Sequence, residues 1–261
     1  MALTDFEVET VELYGRSRLV YRVGSGPAVI VMSEIPGITP RVSAFARRVA
    51  DCGLTAVMPH LFGVDGRESS NRAMTRSMLE VCISKEFRLL ARGEPSPVTN
   101  WLRRLASVER ERCGGRGVGA VGMCLTGGFA LAMMIEEVVI APVLSQPSLP
   151  LPLGRSRKRD LGIGERELAR VKERARAGTC VMGLRFTGDK ASPPERFERL
   201  REELGDKFLA IELDSSKGNP YGHRAKAHSV LTEDLDDRVG SPTHDAMRRV
   251  LEFFQERLLD S

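Results

Sequence analysis

Short, continuously apolar runs rich in β-branched residues alternate along this chain with longer stretches whose apolar positions recur every three or four residues. A strand buried on both faces of a parallel sheet reads as an unbroken hydrophobic run, whereas a helix covering that sheet shows a single apolar stripe. Residues 28–33 (AVIVMS), 54–58, 117–122, 137–141, 180–186 and 207–213 are therefore expected strands, with 6–13 and 18–23 opening the chain as an antiparallel pair. Helices are expected at 41–52, 68–90, 98–112, about 125–135 and 165–177, the first closed by Gly53 and the second and third separated by Gly93-Glu94-Pro95-Ser96-Pro97. Ser192-Pro193-Pro194-Glu195 has the form of a capping box with Ser192 at the N-cap. Ser241-Pro242 opens a last helix, with Ala246, Met247, Val250, Leu251, Phe254 and Leu258 as its buried stripe. Strands alternating with helices imply an α/β class: a mostly parallel central sheet flanked by helices on both faces. Residues 142–163, which hold Pro142, Pro147, Pro150, Pro152 and the basic run RSRKR, are expected to form an excursion or lid over one end of the sheet, within one domain spanning 1–261.

Composition narrows the function classes. A chain of 261 residues, 42% hydrophobic, can bury one sizeable core. Lys+Arg 39 against Asp+Glu 35, with the signs interspersed, makes no case for a nucleic-acid partner. The N-terminus lacks a basic start followed by an apolar run, and no apolar stretch is long enough to span a bilayer, so neither export nor membrane insertion is expected. Five cysteines, odd in number and without a CxxC pair, fit a reducing cytoplasm better than a disulfide framework. No His-x-His, HExxH or Cys/His cluster is present, so neither a metal nor a cofactor is expected. The expected partner is a small-molecule substrate, and the oligomeric state stays open.

The strongest local chemistry lies in GVGAVGMCLTGGFALAMM, residues 117–134. A strand runs into Gly122-Met123-Cys124-Leu125-Thr126-Gly127-Gly128 and a helix leaves at once, the pattern of a tight strand-to-helix elbow that lifts one nucleophile clear of the sheet. A thiol there sits near a helix N-terminus, which favours thiolate. Gly117, Gly119 and Gly122 also spell GxGxxG, but they precede and lie within the strand instead of forming the turn, so a phosphate-binding loop is the weaker reading. Cys52, Cys82, Cys113 and Cys180 have no such setting and read as small buried hydrophobes.

Four segments together resemble the dienelactone hydrolase family of α/β hydrolases. They are the Gly-x-Cys elbow; Ser33-Glu34-Ile35-Pro36-Gly37 after a buried strand; Thr187-Gly188-Asp189 after a late strand; and Ala227-His228-Ser229 after the last strand. The order Cys124, Asp189, His228 is the nucleophile–acid–base order of these hydrolases. The resemblance implies Cys124 as nucleophile, His228 as base, Asp189 as its orienting carboxylate, and Glu34 contacting the resting thiol. It also implies an oxyanion hole from the backbone N–H groups of Ile35 and Leu125. The pattern departs at Thr126, where the family has glycine, and at Met123, where it has an aromatic residue. Residues 229–232 carry no arginine of the kind used to hold the dienelactone carboxylate, so the expected substrate is a small carboxylic ester, thioester or lactone in the broader sense.

His60, Met123 and His223 are expected along the pocket, His244 at the surface, and Arg155–Arg159 on a solvated loop. His223 is the rival to His228 for the base, but it sits in the turn-rich Gly218-Asn219-Pro220-Tyr221-Gly222 segment and is assigned to the rim. A thioesterase or general carboxylesterase using the same residues is one competing reading. A catalytically silent protein that keeps the fold and binds a ligand is another.

Overall fold

A computed structural model describes residues 3–83, 96–149 and 154–259. The expected helical residues 84–90, the breakers 93–95 and residues 150–153 of the excursion lie outside the described residues.

Eight strands form one sheet: β1 (Glu7–Leu13), β2 (Arg16–Gly24), β3 (Ala28–Met32), β4 (Thr55–Pro59), β5 (Val118–Met123), β6 (Val139–Ser145), β7 (Val181–Phe186) and β8 (Phe208–Leu213). Their spatial order is β1-β2-β4-β3-β5-β6-β7-β8. β1 and β2 pair antiparallel, as do β2 and β4, and every other pairing is parallel. The helices among the described residues are α1 (Pro40–Asp51), α2 (Asn71–Ile83), α3 (Pro97–Cys113), α4 (Gly127–Met133), α5 (Gly154–Arg159), α6 (Glu165–Arg176), α7 (Pro194–Leu204) and α8 (Pro242–Leu258).

The two-residue period of the strands sends alternate side chains to opposite faces. In β3, Ala28, Ile30 and Met32 join a core with Trp101, Leu105, Phe129 and Phe197 of α3, α4 and α7. Val29 and Val31 join the other core, with Val42, Phe45 and Val49 of α1 and Val250 and Phe254 of α8. Every residue of β3, β4 and β5 is buried, which is why these runs read as continuous hydrophobicity. Among the described residues one ion pair is sealed inside: Arg22 on β2 meets Glu109 on α3 at 2.6 Å, with both side chains almost fully buried. None of the described helices is long and apolar enough to cross a membrane.

Several boundaries differ from the sequence expectation, three of them with a bearing on packing. β6 runs to Ser145, four residues past its expected end at 141, although Pro142 lacks an N–H; the ladder to β7 begins only at Val143, so the proline stands at its border. α2 begins at Asn71 instead of 68. Ser192 does not cap α7: the helix starts at Pro194 with Pro193 in the cap position, and the Ser192 hydroxyl is buried without a partner. The Ser192 carbonyl is instead taken by the guanidinium of Arg185, at 2.8 Å, which draws the residue out of cap geometry. Ser241 does cap α8, accepting from the His244 N–H at 3.3 Å. In that helix Phe253 is buried as well, and Leu251 only half-buried.

Candidate active site

The elbow between β5 and α4 carries an unusual backbone. Cys124 has φ +57°, left-handed space that a non-glycine residue enters at a cost. Turn and strand nearly collide: a Cβ built on Gly122 would stand 2.1 Å from the Thr126 carbonyl oxygen and 2.9 Å from the Gly127 Cα. Thr126 staples this turn. Its hydroxyl accepts from the Met123 N–H at 2.8 Å and lies 3.0 Å from the Met32 carbonyl at the end of β3. The departure from a glycine at this position therefore supplies a hydrogen bond that a glycine could not. Cys124 is left half-buried at the C-terminal end of β5, and its carbonyl accepts from the Ser148 N–H at 2.9 Å.

Three elements distant in sequence converge there. Asp189, buried in the loop after β7, accepts from Nδ1 of His228 at 2.7 Å. Its other oxygen accepts from the Ala191 N–H at 2.9 Å. The Cys124 sulfur is among the groups that act electrostatically on the His228 ring. Burial alone would pull the imidazolium pKa down. The electrostatic influence of Cys124 and the hydrogen bond to Asp189 outweigh it and push the value up to about 11. That balance favours the protonated ring, held by the Asp189 carboxylate. The backbone before the ring is held by Asp234, whose Oδ2 accepts from the N–H groups of His228 and Ser229 at 2.8 and 3.1 Å. Burial works against the charge on Asp234, but Arg224 and these two N–H groups keep its carboxyl below the usual range.

Glu34, past the end of β3, is buried between these elements. Its oxygens accept from Ser229 at 2.7 Å, from the Gln146 amide at 3.1 Å, and from Thr232. The carboxylate is thus spent on neutral donors, and a bond to the Cys124 thiol is not among them. Gln146 has φ +36° and is fully buried. Its amide links the residues just after β6 to Glu34. Ile35, just past β3, is half-buried, and Leu125, next after Cys124 in the elbow, is buried.

The remaining candidates lie apart. Met123, expected along the pocket, is fully buried in the α1/α8 core, because strand alternation turns it away from the elbow opening. His223 places Nδ1 2.8 Å from the Asp214 carbonyl and its ring edge-on to Phe186, so it takes no part in the Asp189–His228 pair. His60 is tied by Nδ1 to Asp65 at 2.8 Å, and Asp65 also accepts from the Tyr21 hydroxyl at 2.9 Å. His244 is half-buried at the start of α8. Cys52, Cys113 and Cys180 are free and half-buried. Cys82 lies where no side chain is described. Among the described residues, no group of three or more His, Cys, Asp or Glu could hold a metal ion.

Sequence reasoning missed Thr126 as a staple, Gln146, the Ser229 and Thr232 hydroxyls on Glu34, and the buried Arg196. Only the first carried a visible signal, a hydroxyl in a glycine-rich turn. The partners of the others come from elements remote in the chain.

The sequence profile of the dienelactone hydrolase family matches residues 16–258. A Saccharomyces cerevisiae protein, provisionally assigned as a carboxymethylenebutenolidase, is 25% identical over 193 residues, covering 72% of this chain and 67% of the yeast protein. A crystal structure from Klebsiella pneumoniae, provisionally assigned as a dienelactone hydrolase, shares 18% identity with a TM-score of 0.63, covering 96% of this chain and 98% of that one. A cold-adapted esterase from an Arctic intertidal metagenomic library shares 13% identity with a TM-score of 0.59, covering 96% and 93%. At such identities the two structures establish the shared α/β-hydrolase architecture.

Proposed function

Because this chain belongs to the dienelactone hydrolase family, carboxylic ester hydrolases, we propose that it cleaves a small carboxylic ester or lactone through Cys124 and a thioacyl-enzyme. The Cys124 sulfur attacks the carbonyl carbon as thiolate, and the carbonyl π electrons move onto oxygen. The backbone N–H groups of Leu125 and Ile35 receive that oxyanion. Collapse expels the alkoxide, which takes the proton from the His228 imidazolium, leaving a thioester on Cys124. His228, now neutral, removes a proton from water. The hydroxide adds to the thioester, and collapse releases the acid and restores the thiolate–imidazolium pair. Asp189 keeps Nδ1 of the ring protonated and balances its charge throughout.

The observation that carries this reading is the Asp189–His228 hydrogen bond of 2.7 Å beside a Cys124 held in left-handed backbone at the end of β5. The neutral hydroxyls of Ser229 and Thr232, both turned to Glu34, favour an uncharged acyl group over one bearing a carboxylate, which would face Glu34 without a cation from this segment.

The test is turnover of p-nitrophenyl acetate by wild type, Cys124→Ala and His228→Ala, with and without prior carbamidomethylation by iodoacetamide. Turnover is expected to vanish in Cys124→Ala and after carbamidomethylation, and to fall severely in His228→Ala. Equal turnover in wild type and Cys124→Ala would refute the nucleophile.

A further inference from the structure

Arg196, on the first turn of α7, is almost completely buried, yet its guanidinium donates only to backbone carbonyls. Nε reaches the Asp160 carbonyl at 2.6 Å, Nη2 the Arg157 carbonyl at 3.3 Å, and Nη1 the carbonyls of Pro147 at 2.6 Å and Ala191 at 3.2 Å. Among the described residues no carboxylate stands within ion-pair distance of it. A buried cation without a paired carboxylate is expensive to keep, so its surroundings must offset the cost.

The two carbonyls shared by Nη1 belong to the two halves of the candidate site. Pro147 precedes Ser148, whose N–H holds the Cys124 carbonyl at 2.9 Å, and Pro147 itself packs against Gly127 in the elbow. Ala191 donates its N–H to the Asp189 carboxylate at 2.9 Å. One nitrogen thus spans the segment supporting the nucleophile and the loop carrying the acid. Burial drags the guanidinium pKa down to about 10, while the electrostatic influence of Asp160, Asp189, Cys124 and Glu195 holds it up, so it remains a cation at neutral pH. Glu195 is itself engaged by Lys158 at 3.0 Å.

We propose that Arg196 is a positioning residue of the hydrolytic site, a buried cation that clamps the Cys124 and Asp189 loops together and sets its positive charge at their junction. This rests on the reading of Cys124 as the nucleophile. Arg185 is the internal comparison. It holds the same acid loop through the carbonyls of Thr187 and Ser192, at 3.1 and 2.8 Å, but its charge is neutralised by Glu212 at 2.5 Å.

The experiment is the pH profile of kcat/KM for p-nitrophenyl acetate in wild type, Arg196→Gln, Arg196→Lys, Arg185→Gln and Cys124→Ala, with thermal midpoints measured alongside. In Arg196→Gln the acid limb is expected to move up by about one pH unit, a loss of roughly tenfold at pH 6 that largely closes by pH 8.5. Arg196→Lys should return the limb to its wild-type position even where its midpoint stays low, and Arg185→Gln should lose stability with its limb unmoved. A folded Arg196→Gln with a wild-type limb overturns the proposal, as does a limb in Arg196→Lys displaced as far as in Arg196→Gln. Should Arg196→Gln not fold, the limb of Arg196→Lys decides in the same sense. Turnover surviving in Cys124→Ala sinks the nucleophile and this role with it, whereas an unmoved limb in Arg196→Gln with Cys124→Ala inactive sinks the role of Arg196 alone.

Discussion

Replacing Gly122 by alanine adds one carbon at the point where β5 and the elbow come closest. That carbon would stand 2.1 Å from the Thr126 carbonyl oxygen, 2.5 Å from its carbon and 2.9 Å from the Gly127 Cα. All three are backbone atoms, so no side chain can rotate away. Protein Cβ atoms essentially never approach another heavy atom closer than 3.0 Å, so the turn must open by 0.9 Å at the oxygen to reach even that limit. Opening it stretches the Thr126 hydroxyl from the Met123 N–H and from the end of β3, and carries Cys124 with it. Overpacking of this kind costs about 1–3 kcal/mol. A displacement of about 1 Å at the reacting atom costs on the order of a hundredfold in rate. Gly122→Ala should therefore lower the urea midpoint modestly and kcat for p-nitrophenyl acetate by about two orders of magnitude. Gly205→Ala is the control: its φ of +58° is unfavourable for alanine but nothing lies within 4 Å of the added carbon. It should cost about 1 kcal/mol with kcat unchanged. A Gly122→Ala protein with wild-type kcat and midpoint would refute the account of the elbow.

Other outcomes follow from the same geometry. Thr126→Val keeps the shape but strands the buried Met123 N–H, so equilibrium unfolding should show a loss of about 1–3 kcal/mol together with reduced turnover. Glu109→Ala leaves Arg22 buried opposite no carboxylate on α3. The loss should be about 3 kcal/mol, the lower end of the usual range, because half-exposed Glu9 still pairs with Arg22; the double variant Arg22→Met/Glu109→Leu should recover most of it in the same urea titration. His228 offers a pH test. Its folded pKa stands above the ordinary 6.5, so its contribution to stability is complete below about 6.5 and is lost as pH rises through about 11. Cys124→Ala removes the sulfur's raising influence on the ring while burial remains. The imidazole should then titrate at lower pH by NMR, and a ring that titrates as in wild type would contradict the assignment of cause. Glu34→Gln converts an acceptor of three hydrogen bonds into a group that must donate in part. Its unfolding free energy should fall by about 1–3 kcal/mol as Ser229, Thr232 or Gln146 loses its partner.

Much of the architecture could be read from residue order alone, because the signals are local. AVIVM at β3 and VGAVGM at β5 announce strands buried on both faces, Ser241-Pro242 announces a helix start, and glycines around Cys124 announce a turn with no room for a Cβ. The sequence order of Cys124, Asp189 and His228, with the dienelactone hydrolase resemblance, was enough to nominate the site. Tertiary structure decided what depends on distant partners. Ser192 has the right neighbours for a helix cap, yet Arg185, seven residues earlier, claims its carbonyl. Glu34 could have met an amide, an arginine or the thiol, and the return of residues 229–232 to the end of β3 gives it hydroxyls instead. Arg196 carries no local mark at all, since its four carbonyl partners converge only once β6, β7 and α7 are in place. Periodicity and turn chemistry are written over a few residues, whereas the pairing of a buried polar group is settled by whichever donors and acceptors the folded chain brings within about 3 Å of it.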